Sequence, residues 1–473
     1  MPGIAILIAA FFTNRIEPAW DWGHTINIAI QYATSGTTTL PSYVAAYANN
    51  RLWITVLIYF FKIILRICPS ASADNMKTLL WALSDFLVIA TVNLIYLSAR
   101  CLFSEKKAFF TGGLAALYLP IYLYGQISYT DIPGLFLCSF ILYLYCRLRQ
   151  AKGRQTYLCL CFLGGVAAVA YKIKVLVFIL VLAILIEEIL RILSLSHAHP
   201  CEARSSAPGK LTLPFVSRVF DLPVKSGFIL RLKTSLFHAL IAVCAFGIIF
   251  GVSNLLISRA LAISDEIVEE YEIPLTHWIM MGLDGNGGYS GDDYAFTTSI
   301  SGYQAKVNAT VSEIKERLDN LGVQGLLKHI FYKKLRRTWC KCMLGADSYI
   351  SESTLKERTM FQKLFYKKGS LSLPVHIITS VYYFILMLGV FASGVFSFSK
   401  SSAANSTETL RSSLTFICRT TLIGFFLFES IWECNSRYLL CLIPVFMLTA
   451  GDGLLQITAF LQKILHQNTA SHN

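Results

Sequence analysis

Long apolar runs separated by short polar stretches dominate this chain. They fall at 79–99, 108–124, 132–146, 157–171, 175–193, 236–257, 375–398, 414–432 and 438–461. A helix needs about 20 mostly apolar residues to cross a hydrocarbon core of roughly 30 Å, because its backbone groups must be satisfied within the segment. The runs read as membrane-spanning helices. A shorter run at 1–12 lacks the basic start and small-residue cleavage site of a signal peptide. It reads as the end of a first span whose start lies outside the sequence, giving about ten spans in all. Composition agrees: 55% of the 473 residues are apolar and 15% charged, against roughly 25% charged in a soluble domain. The expected fold class is an all-α membrane protein, a multi-span helical bundle. A soluble multidomain enzyme, a disordered chain and a disulfide scaffold are excluded.

The net charge of +13 invites a nucleic-acid partner, but its distribution argues against one. Arg100, Lys106, Lys107, Arg147, Arg149, Lys152 and Arg154 crowd into short loops, and the 194–234 and 400–411 segments add more. The loops 125–130 and 433–436 carry no Lys or Arg. The positive-inside rule then puts the basic loops in the cytoplasm of a multi-pass cell-membrane protein. That register requires the apolar 51–68 stretch, which carries Lys62 and Arg66, to lie along the interface rather than cross. The division expected is an N-terminal membrane module (1–257) with a first outer loop (13–78), an extracytoplasmic insert (258–374) and C-terminal membrane helices (375–473). The insert holds about 15 basic and 14 acidic residues, and Thr310 with Glu313 predicts a capped helix over 311–321. The stretches 205–209 and 399–406 are linker-like in composition.

Ionisable residues at a membrane face are costly to place and mark function. Glu17 and Asp21 flank Pro18 and Trp20, with Trp22 and Gly23 following, where the chain leaves the bilayer. A carboxylate there suits a general base, with Trp22 stacking on a sugar; a plain aromatic belt is the competing account. Tyr47, Asn49 and Asn50 offer a phenol and amides at head-group level. Tyr129 precedes Asp131, which opens a span where an acid also simply favours the helix start. Lys172 and Lys174 sit in a tight outer hairpin and suit a phosphate, or snorkel to the interface. Glu433, Arg437 and Tyr438 form the last outer turn, where Arg437 can clamp phosphate or pair with Glu433. Trp278 in the insert, with the Gly- and Asn-rich 285–289 turn, suits a carbohydrate. No cofactor is indicated; Asp292 and Asp293 are a poor pair for a divalent ion, and His197, His199, Cys340 and Cys342 have no ligand-spaced partners. Walker A, GxGxxG, HExxH and GxSxG motifs are missing, and between the apolar runs no stretch alternates strand and helix for about 100 residues as a nucleotide-sugar domain would, so a transferred sugar would arrive on a lipid.

These motifs, in this order and on one side, resemble the family 39 bacterial membrane glycosyltransferases of the GT-C superfamily, relatives of the protein O-mannosyltransferases and the lipid A aminoarabinose transferase. The resemblance rests on Pro18, Asp21 and Gly23; on Tyr47 and Asn50; on Thr130-Asp131-Ile132-Pro133; on Lys172 after Gly164-Gly165; and on Glu433, Arg437 and Tyr438. Ala48 departs from the proline common in the second motif. The resemblance implies a GT-C-like bundle and inverting transfer from a polyprenyl-phosphate sugar to a hydroxyl of a glycan, lipid or protein at the outer face. Asp21 would be the base, Glu17 or Asp131 a second acid, and Lys172, Lys174 and Arg437 the groups on the leaving phosphate. Trp22, Tyr47, Asn49, Asn50, Tyr129, Trp278, Glu433 and Tyr438 would line the substrate. A polymerase or ligase of lipid-linked glycans is the alternative enzyme. A flippase or transporter is the non-enzyme alternative, and predicts charged or broken helices at mid-membrane.

Overall fold

A computed structural model describes residues 2–13, 16–196, 226–352, 359–396 and 406–470. Every regular element among them is helical. Among the described residues, seven helices are long and apolar enough to cross a membrane: Ala73–Leu102, Asp131–Gln150, Arg154–Ile173, Leu232–Ala260, Ser372–Val395, Thr409–Ile431 and Ser436–Leu465. An eighth span exists if the bent pair Glu105–Ala116 and Leu119–Gln126 counts as one. These two meet at 53°, because Pro120 lacks an N–H and its ring crowds the carbonyl one turn earlier. The expected 108–124 run is therefore bent, with the geometry of a broken span or a re-entrant loop.

Two further apolar elements do not meet that standard. Phe178–Ser196 corresponds to the 175–193 run but carries Glu187, Glu188 and Arg191. Its acids are satisfied from a neighbouring helix: Tyr145 donates to Glu187 at 2.8 Å and Arg149 to Glu188 at 3.1 Å. Pro2–Thr13 is a 12-residue apolar helix. Arg51–Ile67, the expected interfacial segment, buries Leu52, Trp53, Ile54, Leu57, Ile58, Phe61 and Ile64 on one face and exposes Ile63 and Ile67 on the other. It packs against Trp20–Thr34 and the helix ending at Ala260.

The bundle closes through helix pairs. Arg154–Ile173 runs along the 226–260 helix so closely that a Cβ on Gly164 would lie 2.1 Å from the Ala242 carbonyl oxygen, the close approach that small residues permit between membrane helices. Ser372–Val395 pairs likewise with Ile443–Ala470, and Ala73–Leu102 with Asp131–Gln150. Arg100, Arg147 and Arg149 gather at one end of these helices. The basic 194–234 and 400–411 segments and the linker-like stretches lie largely outside the described residues.

The insert sits over the other end. Its longest helix is Tyr303–Lys328, which breaks at Gly322 (φ +56). The capped start expected at Thr310 is not there: Thr310 lies mid-helix, its hydroxyl donating to the Lys306 carbonyl at 2.8 Å. Glu313 instead pairs with Arg317 one turn on, at 2.8 Å. Arg317 also grips Asp293 through two hydrogen bonds, 2.6 and 2.9 Å, so that half of the Asp292–Asp293 pair is already engaged.

Candidate functional site

Residues far apart in sequence converge where the insert meets the bundle. Asp131 is the first residue of its helix and fully buried. Its carboxylate takes Lys174 Nζ at 2.7 Å and lies 3.4 Å from Arg437 Nε. Lys174 stands at the end of the Arg154–Ile173 helix in an extended conformation, φ −151 and ψ 91. That turn aims it at Asp131 and away from the course of the helix. Arg437 begins the last span behind Asn435, whose side chain accepts the Arg437 N–H at 3.1 Å. Its guanidinium lies 5.3 Å from the ring centre of Tyr129, 5.2 Å from Tyr349 and 5.8 Å from Tyr438, within cation–π range. Lys174 shares two of those rings, Tyr438 at 5.1 Å and Tyr129 at 5.9 Å. Two cations thus share one buried acid and a wall of phenols.

Asp21 reaches this cluster through hydrogen bonds. It occupies the first turn of Trp20–Thr34. That start is tight: Gly23 N–H donates to Ala19 O at 2.9 Å, and a Cβ on Gly23 would fall 2.6 Å from Pro18 O. The Pro18, Asp21, Gly23 spacing is therefore a turn that presents the carboxylate. Tyr43 donates to Asp21 Oδ1 at 3.0 Å; Asn50 Nδ2 donates to the same phenol oxygen at 3.0 Å; Tyr129 donates to Asn50 Oδ1 at 3.0 Å. Arg51 fixes the intervening turn by donating to Val44 O and Ala45 O at 2.9 and 2.8 Å. Burial, reinforced by the Asp21 charge, holds Tyr43 and Tyr129 far above the ordinary phenol range, so both stay protonated donors.

Among the other sequence candidates, Asn50 and Tyr129 are buried links of this chain, and the exposed Asn49 amide lies 3.4 Å from Asn50 Oδ1. Tyr47 packs on Tyr43 at 4.7 Å and faces Trp278 at 6.3 Å. Backbone bonds set Trp278 there: Glu433 N–H donates to Trp278 O at 3.0 Å, and Cys434 N–H to Gly287 O at 2.7 Å. Glu433 is buried and bonded to the Tyr438 hydroxyl. Burial pushes the Glu433 carboxyl up, against the pull of Tyr438 and Arg437.

Three candidates point elsewhere. Lys172, two residues before Lys174, faces the opposite way on the helix: its ammonium donates to Asn254 at 2.8 Å and sits 4.1 Å over the Phe250 ring. Glu17 is 59% exposed and pairs with Lys77 at 3.2 Å. Trp22 is 2% exposed and part of the core; Trp20 is the outward indole. Tyr43 and Tyr349 escaped the sequence reading. The i, i+4 spacing of Tyr43 and Tyr47 was a usable signal for the first. Tyr349 had none, since only the tertiary fold brings it to Arg437.

Known proteins add the following. No curated protein matches the chain. A solved structure similar to it is the archaeal oligosaccharyltransferase AglB from Archaeoglobus fulgidus, in complex with an inhibitory peptide and a dolichol-phosphate. The similarity covers 99% of this chain and 52% of that one, at 13% identity and a TM-score of 0.46, so the chain spans about half the length of that enzyme. A family model described as conserved hypothetical integral membrane protein matches residues 4–452. With its apolar helices and that nearly complete match, the chain belongs to this family of integral membrane proteins.

Proposed function

We propose that the protein is a membrane glycosyltransferase that moves a sugar from a polyprenyl-phosphate donor to an acceptor hydroxyl at the outer membrane face, with inversion. The acceptor oxygen attacks the anomeric carbon, the bond from that carbon to the phosphate oxygen breaks, and the acceptor proton passes to Asp21. The lipid phosphate leaves with the bonding electrons and is held by Lys174 and Arg437. One displacement inverts the centre, and no metal is needed for the charge balance. The reading is carried by a single observation: the hydrogen-bonded run Asp21, Tyr43, Asn50, Tyr129 ends against the ring-stacked cations. A base and a phosphate-binding pair are what such a displacement requires at adjoining positions.

The test supplies proteoliposomes with radiolabelled polyprenyl-phosphate hexoses and follows label into polymer, protein or lipid. Asp21-dependent transfer is expected. A wild-type protein that leaves every such donor intact overturns the proposal.

A further inference from the structure

We infer that the acceptor is a carbohydrate whose ring stacks on Trp20, beside Asp21; this rests on the reading of Asp21 as the base. Trp20 combines three properties. Its side chain is 45% exposed although it directly precedes the candidate base. Its backbone is left-handed, φ +48, which a bulky L-residue adopts only where the surroundings impose it. Its ring meets Tyr349 edge-on at 5.4 Å and 80°, and Tyr349 in turn lies 5.2 Å from Arg437. The indole therefore adjoins the base in the chain and meets, through Tyr349, the ring wall of Arg437, with surface left open. An interfacial anchor needs neither the left-handed backbone nor the Tyr349 contact.

The surroundings favour a sugar. A pyranose presents a face of C–H bonds to an aromatic ring and hydroxyls at its edges. Tyr289, in the Gly- and Asn-rich turn of the insert, is 60% exposed. Tyr47 and Trp278 form a second aromatic pair on the same side, and the exposed Asn49 amide supplies donors and an acceptor for hydroxyls.

The experiment uses the full chain in nanodiscs, with saturation-transfer NMR against two panels: neutral glucan, galactan, arabinan and mannan oligosaccharides, and Ser/Thr-rich peptides. At least one oligosaccharide is expected to bind. Trp20→Ala should weaken it about tenfold, and Trp20→Phe should restore most of it, as a ring contact predicts. Binding of undecaprenyl phosphate should be unchanged in both variants, which also reports that they are folded. Peptide binding that depends on Trp20, no oligosaccharide bound, or equal affinity in Trp20→Ala each overturns the inference. Label transferred to a peptide sinks the carbohydrate acceptor and leaves the glycosyltransferase standing. Oligosaccharide binding without transfer from any lipid donor sinks the glycosyltransferase instead.

Discussion

The Tyr129 hydroxyl donates to the Asn50 side-chain oxygen across 3.0 Å, joining the turn before the Asp131 helix to the turn before the Arg51 helix. The same Asn50 amide donates to Tyr43, which donates to Asp21. Asn50 is thus the hinge on which an acid near the amino end meets cations from two distant helices. Tyr43→Phe removes a hydrogen bond to a charged group, worth about 1.5–3 kcal/mol. A fall in kcat of roughly 10- to 100-fold is expected, with donor KM nearly constant, in steady-state transfer assays on proteoliposomes.

Asp21→Asn keeps the shape of the side chain and removes the proton acceptor. Transfer should fall by about 10²–10⁴, while the thermal unfolding midpoint stays within a few degrees of the parent. Normal transfer in this variant would exclude Asp21 from the chemistry.

Lys174 and Lys172 separate sharply. Lys174→Ala takes a cation from the Asp131 cluster and should lower turnover about 10²–10³. Lys172→Ala removes a contact to Asn254 and Phe250 only, and turnover should stay within about threefold. Parallel rate measurements on the two variants decide it.

Asp131 is nearly inaccessible at 1% side-chain exposure and faces two cations. Asp131→Ala leaves both without their acid and should destabilise the protein by about 3–5 kcal/mol, read as a lower midpoint in detergent unfolding. Adding Lys174→Met should recover part of that loss. A double variant less stable than the single one would mean that Lys174 does not depend on Asp131.

His277 sets a pH dependence in the insert. It is fully buried against Thr297, at 2.7 Å. Burial lowers its pKa to about 4, partly offset by Asp293. The unfolded imidazole takes a proton near pH 6.5 and the folded one does not until about 4. Stability is therefore full above about pH 6.5 and declines as pH falls towards 4, by about 3 kcal/mol in all. Amide protection factors at 275–298, corrected for the pH dependence of intrinsic exchange, should fall across that window in the parent and much less in His277→Asn.

Much of this architecture is legible in one dimension because a bilayer enforces it. Apolar length marks the spans, and the Lys and Arg bias separates the two ends. The helix starting at Asp131 and the turn at Pro18–Gly23 also follow from local rules, since an acid favours a helix start and a glycine permits the close approach. Individual faces were harder to read. Lys172 and Lys174, like Trp20 and Trp22, are two residues apart, but Lys174 leaves its helix in an extended conformation, φ −151 and ψ 91, and Trp20 enters its helix with φ +48. Which member of each pair meets the site is decided by these end geometries, which the packing of neighbouring elements imposes.

By itself, then, the sequence determined an all-helical integral membrane protein and the end of the bundle where its acids and aromatics collect. The tertiary structure alone decided that Lys174 rather than Lys172 meets Asp131, that Trp20 rather than Trp22 is outward, and that Tyr43 and Tyr349 join the cluster. Burial of apolar length is a property of each segment, whereas a shared hydrogen bond or ring contact depends on how separate segments are turned against each other.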